Sequence, residues 1–234
     1  MTDDHLAAAP SSLAWYNLRD IVARSLLIVL MVFIAEAAIH RLVLLGRPDD
    51  APRIFRYFSE IGALLFAVLV CFLAVIRLPA RGGAAGWAPV GAALGGAFIL
   101  TLVNRMPVAP LPPAISLVSG LLLAAGNIGS VYCLAYLGRS FSVLPEARKL
   151  VASGPYALVR HPLYLAEAVA MAGTVLLHWS LFALLIGLVQ SAFQYYRLRC
   201  EEAVLVRTFP DYAAYAAVTP RLLPRLRRWV PSSD

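Results

Sequence analysis

Apolar runs of membrane length recur along this chain. They restrict it to structures that satisfy every backbone polar group internally, which in lipid means helices or a closed barrel. The first run covers about Ile21 to Leu45, the second about Ile61 to Ile76, and the third Trp87 to Val103. The fourth covers about Ile115 to Leu137, and a last stretch extends from Leu163 to Tyr196. A helix rises about 1.5 Å per residue, so about 20 residues cross the hydrocarbon. The 34 residues of the last stretch exceed one crossing. They suit two short tilted helices broken near His178-Trp179-Ser180, with one long helix as the alternative. The expected fold is therefore an all-α integral membrane protein of about six transmembrane helices. It has a short C-terminal helical hairpin. Gly91, Gly95 and Gly96 give the third run a small-residue face for close packing.

Composition agrees. Hydrophobic residues make up 61% and charged residues 14%, against about 45–50% and about 25% in soluble domains. The net charge of +7 is almost all arginine, Lys149 being the one lysine. In a membrane chain this excess belongs to cytoplasmic loops and anionic lipid, and no basic module interleaved with aromatics speaks for nucleic acid. Six crossings put 15 basic residues on the side of the termini and 5 on the other. Both termini are thus expected in the cytoplasm. The abundance of Ala, Leu, Gly and Arg fits a GC-rich bacterial gene and so an inner-membrane location. Residues Met1 to Ser12 do not read as a signal peptide, because Asp3 and Asp4 stand where a basic region is needed.

Cys71, Cys133 and Cys200 form no C-x-x-C pair, and His5, His40, His161 and His178 are scattered singly. No metal site is expected from these spacings. Glu36 and His40 share a face inside the first run, where an ionisable residue is a functional candidate or a structural hydrogen-bonded pair.

The polar chemistry concentrates in the C-terminal half. Gly154-Pro155-Tyr156 is a turn. Arg160-His161-Pro162-Leu163-Tyr164 then opens a helix. Pro162 suits a first helical turn, and His161 stands at the helix mouth, where free N–H groups favour an electron-rich ligand. Tyr164 shares the face of His161. At the far end of the last run, Arg197 and Glu201 are spaced i, i+4, which also fits an ordinary salt bridge. Tyr212 and Tyr215 could line one helical face, or simply pack.

Leu150 to Tyr156, then Arg160 to Tyr164, then Arg197, Glu201-Glu202, Leu205, Phe209, Tyr212, Tyr215 and Pro220 to Pro224 together resemble the isoprenylcysteine carboxyl methyltransferase family. That family belongs to a wider group of integral-membrane methyltransferases that includes phospholipid methyltransferases. The resemblance spans about Leu137 to Pro224. The four N-terminal runs make a four-span bundle over 1–137, and the resemblance implies a methyltransferase core over 138–234, with the hairpin at 163–196 and a cytoplasmic cofactor pocket. It implies S-adenosyl-L-methionine as methyl donor and S-adenosyl-L-homocysteine as product. The implied cofactor contacts are Lys149, Leu150, Val151, Tyr156, His161, Pro162, Leu163 and Tyr164, with Glu201 taking the ammonium group. Arg148 would also lie there, although its residue type departs from the family pattern.

Arg197 would face the acceptor, and Glu202 or His161 would take a proton from a thiol or amine acceptor. An acceptor already anionic needs only a cation to place it. The implied partners are a lipophilic substrate entering from the bilayer and membrane lipids, without nucleic acid or metal. A soluble dinucleotide-type route is absent, since no G-x-G-x-x-G follows a strand. A small transporter and a non-catalytic scaffold on a related helical fold are the alternatives, though the chain shows no internal repeat.

Overall fold

The computed structural model describes residues 10–224. The expectation about the N-terminal twelve residues, His5 and the last arginines lie largely or wholly outside them. Eight α-helices follow in order: α1 Pro10–Leu44, α2 Ala51–Ile76, α3 Ala88–Val103, α4 Pro113–Leu137, α5 Pro155–Leu158, α6 Pro162–Leu177, α7 Leu181–Thr208 and α8 Tyr212–Val218. One small ribbon, β1 Gly82–Gly83 and β2 Glu146–Ala147, pairs antiparallel with Gly82 opposite Ala147.

Four helices among the described residues are long and apolar enough to cross a membrane: Asp20–Leu44, Ala51–Ile76, Pro113–Ser140 and Leu181–Thr208. The other two apolar helices, α3 and α6, have 16 residues each. Each is about 24 Å long, short of a hydrocarbon core of about 30 Å. The protein is therefore an integral membrane protein with four helices of crossing length, and the six apolar runs do not all reach that length.

The break at His178-Trp179-Ser180 is where the sequence places it. Ser180 caps α7 by accepting from the Ala183 N–H at 3.1 Å. However, α7 is not short. It continues past Tyr196 to Thr208 and carries Arg197, Glu201 and Glu202 on its last turns. Likewise α2 begins at Ala51, about ten residues ahead of the second apolar run. Asp50 caps it by accepting from the Arg53 N–H at 2.7 Å, and Pro52 occupies the first turn, where its missing N–H costs nothing.

The helices form two layers. In one, α1 packs on α2, α2 on α4, and α4 on α6; in the other, α3 packs on α7. The closest crossing is α4 with α6. A Cβ on Gly126 would stand 2.3 Å from the Ala170 nitrogen, and one on Gly173 would stand 2.8 Å from the Leu123 nitrogen. Glycine at both positions lets the backbones touch. The expected small face of α3 is used in part: Gly95 and Gly96 meet Phe193 of α7, whereas a Cβ on Gly91 would meet nothing within 4 Å. The core of buried side chains joins α1, α2, α3 and α4 to the loop after α4, through Leu27, Val70, Leu134, Phe141 and Leu144 among others. Glu36 and His40 point outward from α1 and are exposed on the bundle surface.

Candidate functional site: a polar pocket against an intramembrane cavity

The chain leaves α4 at Gly138 and folds a loop under the bundle before α6 begins. Gly154 turns it with φ +59°, and any Cβ there would overlap the Tyr136 ring. The loop is anchored by a buried charge cluster. Arg148 donates to the Leu78 carbonyl and pairs with Glu146 at 2.6 Å and with Asp20 at 3.6 Å. Arg77 pairs with the same Asp20, and Ser142 Oγ donates to Glu146 at 2.7 Å. Arg148 is thus tied to α1 and to the loop after α2, and it also lines the polar pocket beside Lys149.

A second charge cluster closes the pocket from below. Glu202 accepts from Arg160 Nη1 at 2.9 Å and from Arg221 Nη2 at 2.6 Å, and its Oε1 lies 3.1 Å from His161 Nε2. Three segments meet on one carboxylate: the loop before α6, the last turns of α7 and the tail after α8. The backbone repeats the join, because Arg160 N–H donates to the Pro220 carbonyl at 2.8 Å and His161 N–H to the Arg221 carbonyl at 3.1 Å. The His161 N–H at the mouth of α6 is therefore already bonded. A carboxylate beside three cationic or donor groups strongly favours its ionised form, which makes it a poor proton acceptor. On the exposed side, the hydrogen bond to Glu202 holds the Arg221 guanidinium even further above neutrality than usual.

Above this cluster lies a polar pocket of about 60 Å³. Lys149, Leu150, Val151, Tyr156, His161, Leu163, Tyr164 and Glu201 all line it, together with Arg197; Pro162 and Glu202 do not. So the structure gathers nearly the whole expected cofactor set around one space. Tyr164 O–H donates to Glu201 Oε2 at 2.8 Å, and the Tyr164 and His161 rings meet edge-on at 5.5 Å between centroids. Tyr215 O–H donates to the Tyr156 carbonyl at 2.5 Å and fixes the roof of α5. The Tyr156 hydroxyl is buried with no hydrogen-bond partner among the described residues. Burial drives its phenol well above the ordinary range, so it stays a neutral donor. Burial also pushes Tyr212 and Tyr215 up to about 12.

A much larger cavity, about 490 Å³, runs between the two helix layers. Its walls are mainly apolar, from Leu27 and Met31 of α1 through Phe66 and Val70 of α2 to Phe193 of α7. Polar groups sit near the pocket end: Glu167, Gln190, Gln194 and Arg197. Gln194 Nε2 donates to Glu167 Oε2 at 3.1 Å. Sequence reasoning passed over Glu167, although it is an ionisable residue one turn beyond Tyr164 in an apolar helix, the same signal applied to Glu36.

Arg197 belongs to both spaces. Among the described residues, it and Phe141 alone line both the pocket and the cavity. Its Nη2 donates to the Ser142 carbonyl at 3.1 Å, its guanidinium lies 5.2 Å from the Tyr164 ring centroid, and its Nε is buried without a partner. No ion pair joins Arg197 to Glu201 among the described residues; the i, i+4 spacing does not make a salt bridge here. Among the same residues no cluster of three or more His, Cys, Asp or Glu side chains could hold a metal ion.

A polar pocket and a mainly apolar cavity that meet at Arg197 and Phe141 lie side by side in this integral membrane protein. Residues 115–212 match the model of the phospholipid methyltransferase family. Over that stretch the chain is similar to the membrane methyltransferases whose motifs its sequence resembles. The matched stretch runs from α4 to the first residue of α8 and holds every polar-pocket residue except Tyr215.

Two curated proteins are also similar. One is the cobalt-zinc-cadmium resistance protein CzcN of Cupriavidus metallidurans, 39% identical over 114 residues, 47% of this chain and 52% of that one. The other is the nickel-cobalt-cadmium resistance protein NccN of Alcaligenes xylosoxydans, 33% identical over 102 residues, 43% of this chain and 45% of that one. The chain thus spans about half the length of the curated relatives it matches.

Proposed function

We propose that the protein is an S-adenosyl-L-methionine-dependent methyltransferase acting on a lipophilic acceptor at the membrane–cytoplasm boundary. The observation that carries this reading is the place of Arg197, on the wall shared by the polar pocket and the apolar cavity. Donor and acceptor then approach from opposite sides of one side chain. Holding two reactants in attack geometry is worth about 7–11 kcal/mol.

The pocket residues fit the donor. Its sulfonium makes a methyl group open to in-line attack, chemistry that the cofactor supplies and the protein aligns. Glu201 offers a carboxylate to an ammonium group, oriented by the Tyr164 hydroxyl. The unpartnered Tyr156 hydroxyl and Arg197 Nε offer donors that no protein group uses. Lys149, Leu150 and Val151 form the loop side, and Leu163 with His161 the helix side. The cavity excludes water from the acceptor's reactive end, which strengthens every charge interaction there.

Arg197 orients an acceptor that is already anionic, such as a carboxylate. A second reading follows from Glu167: an amine or thiol acceptor would pass its proton to this half-buried carboxylate, which lies at the same end of the cavity. Glu202, expected as the base, instead holds three segments together. Location in a bacterial inner membrane with both termini cytoplasmic is part of the same proposal. Titrating purified protein with S-adenosyl-L-homocysteine tests the donor assignment. Saturable binding supports a methyltransferase, and its absence in folded protein favours a transporter or scaffold.

A further inference from the structure

The cavity does not end in apolar side chains. Along α1 it runs from Leu27 to Leu44, a length of about 25 Å, close to the thickness of a hydrocarbon core. Its near end holds Arg197 and Glu167. Its far end, at the opposite pole of the bundle, holds Arg41, Arg56, Glu60, Asn104 and His178. The charges there are unequal. Arg41 Nε pairs with Glu60 at 2.8 Å, and nearby Arg53 pairs with Asp49 and with Asp50. Arg56 has neither an ion pair nor a hydrogen bond among the described residues, yet it is half-buried on the cavity wall. His178 Nδ1 lies 3.2 Å from the Pro107 carbonyl, an acceptor, so Nδ1 carries the proton and Nε2 remains as a second polar atom on that wall. Glu60 and Asp50 act on Arg56 at longer range, but each already pairs with another arginine, so this half-buried cation has no carboxylate of its own and a ligand anion would offset the cost of its burial.

We propose that the far end of the cavity is an anion site, with Arg56 as its anchor, and that the molecule filling the cavity is a long-chain amphiphile polar at both ends. Its anionic group, a phosphate or carboxylate, rests on Arg56. Its chain lies along α1 and α2, and its methyl-accepting end reaches Arg197. The description of the two ends as anchor and acceptor rests on the methyltransferase reading; the anion site itself does not.

The test uses the purified full-length chain and displacement of a fluorescent fatty acid from the cavity. Three competitors are compared: hexadecyl phosphate, hexadecanol and inorganic phosphate. Hexadecyl phosphate should compete about tenfold better than hexadecanol, the worth of one charge-assisted hydrogen bond. Inorganic phosphate alone should not compete, which distinguishes an amphiphile headgroup from a free ion. Arg56→Gln should remove the tenfold preference, Arg56→Lys should keep most of it, and Arg197→Gln should leave it intact. Equal competition by phosphate and alcohol, or a preference lost only in Arg197→Gln, overturns the proposal.

A measurement on unaltered protein covers the case in which Arg56→Gln does not fold. Hexadecyl phosphate with a diazirine at its alkyl terminus should label peptides containing Val143 and Phe193. Labelling around Leu44 and Val108 would mean the opposite orientation and contradict the anion site. Titration with S-adenosyl-L-homocysteine in the same samples reads the donor pocket separately, so failure of the methyltransferase reading and failure of the anion site give different results.

Discussion

The Arg197 guanidinium lies over the Tyr164 ring, 5.2 Å from its centroid, and the hydroxyl of the same tyrosine donates to Glu201 at 2.8 Å. One ring therefore joins the cation on the cavity wall to the carboxylate in the pocket. Arg197 and Glu201, one turn apart on α7, are linked through Tyr164 of α6 rather than by a direct ion pair.

Glu201→Gln should weaken donor binding by the cost of truncating one member of a buried charge pair, ~2–5 kcal/mol. Tyr164→Phe should weaken it less, because the carboxylate keeps its charge and loses only one donor. Calorimetric titration with S-adenosyl-L-homocysteine reads both. Equal, unchanged affinity in both folded variants would remove Glu201 from the site.

Glu202→Gln should act on stability before it acts on chemistry. It leaves Arg160 and Arg221 without their shared carboxylate, and breaking a buried ion pair costs about 3–5 kcal/mol. Its side chain is 10% exposed, so solvent screens the loss little. Thermal unfolding in detergent should show a larger drop for Glu202→Gln than for Glu201→Gln. A Glu202→Gln protein with unaltered melting and no turnover would restore Glu202 as a base.

Tyr212 and Tyr215 are raised from 10.0 to about 12 in the folded chain. The folded state then holds protons that the unfolded chain releases from about pH 10 upward. Stability from these groups is complete below pH 10 and is lost as pH rises towards 12. Unfolding midpoints measured from pH 9 to 12 should fall, and fall less steeply when both tyrosines are replaced by phenylalanine. An identical slope in that variant would show that other groups carry the alkaline loss.

Much of this arrangement is legible in the residues, and the remainder has a physical reason for being hidden. The break between α6 and α7 follows from length alone, since 34 apolar residues cannot be one crossing. Tyr156, His161, Tyr164 and Glu201 come together because their motif order reproduces a family pattern. The task of Glu202 was not visible, because its partners Arg160 and Arg221 lie 42 and 19 residues away along the chain and meet only through tertiary folding. The early start of α2 was hidden by charge: Asp49, Asp50, Arg53 and Arg56 read as loop, yet an Asp50 cap and Pro52 begin a helix there. The α4–α6 crossing depends on Gly126 and Gly173, which stand in different runs and show no common spacing.

Transfer of labelled methyl from S-adenosyl-L-methionine to extracted native membrane lipid, measured for unaltered protein and Arg197→Ala, tests the central claim most directly. The unaltered protein should label a lipophilic product. Arg197→Ala should bind S-adenosyl-L-homocysteine nearly as tightly yet lose about a hundredfold in turnover, the scale of one lost transition-state contact of about 2.7 kcal/mol. Arg197→Lys should restore little, because a point charge does not replace the planar fork. Full turnover in folded Arg197→Ala, or no labelled lipid from unaltered protein that binds the donor, would contradict the account.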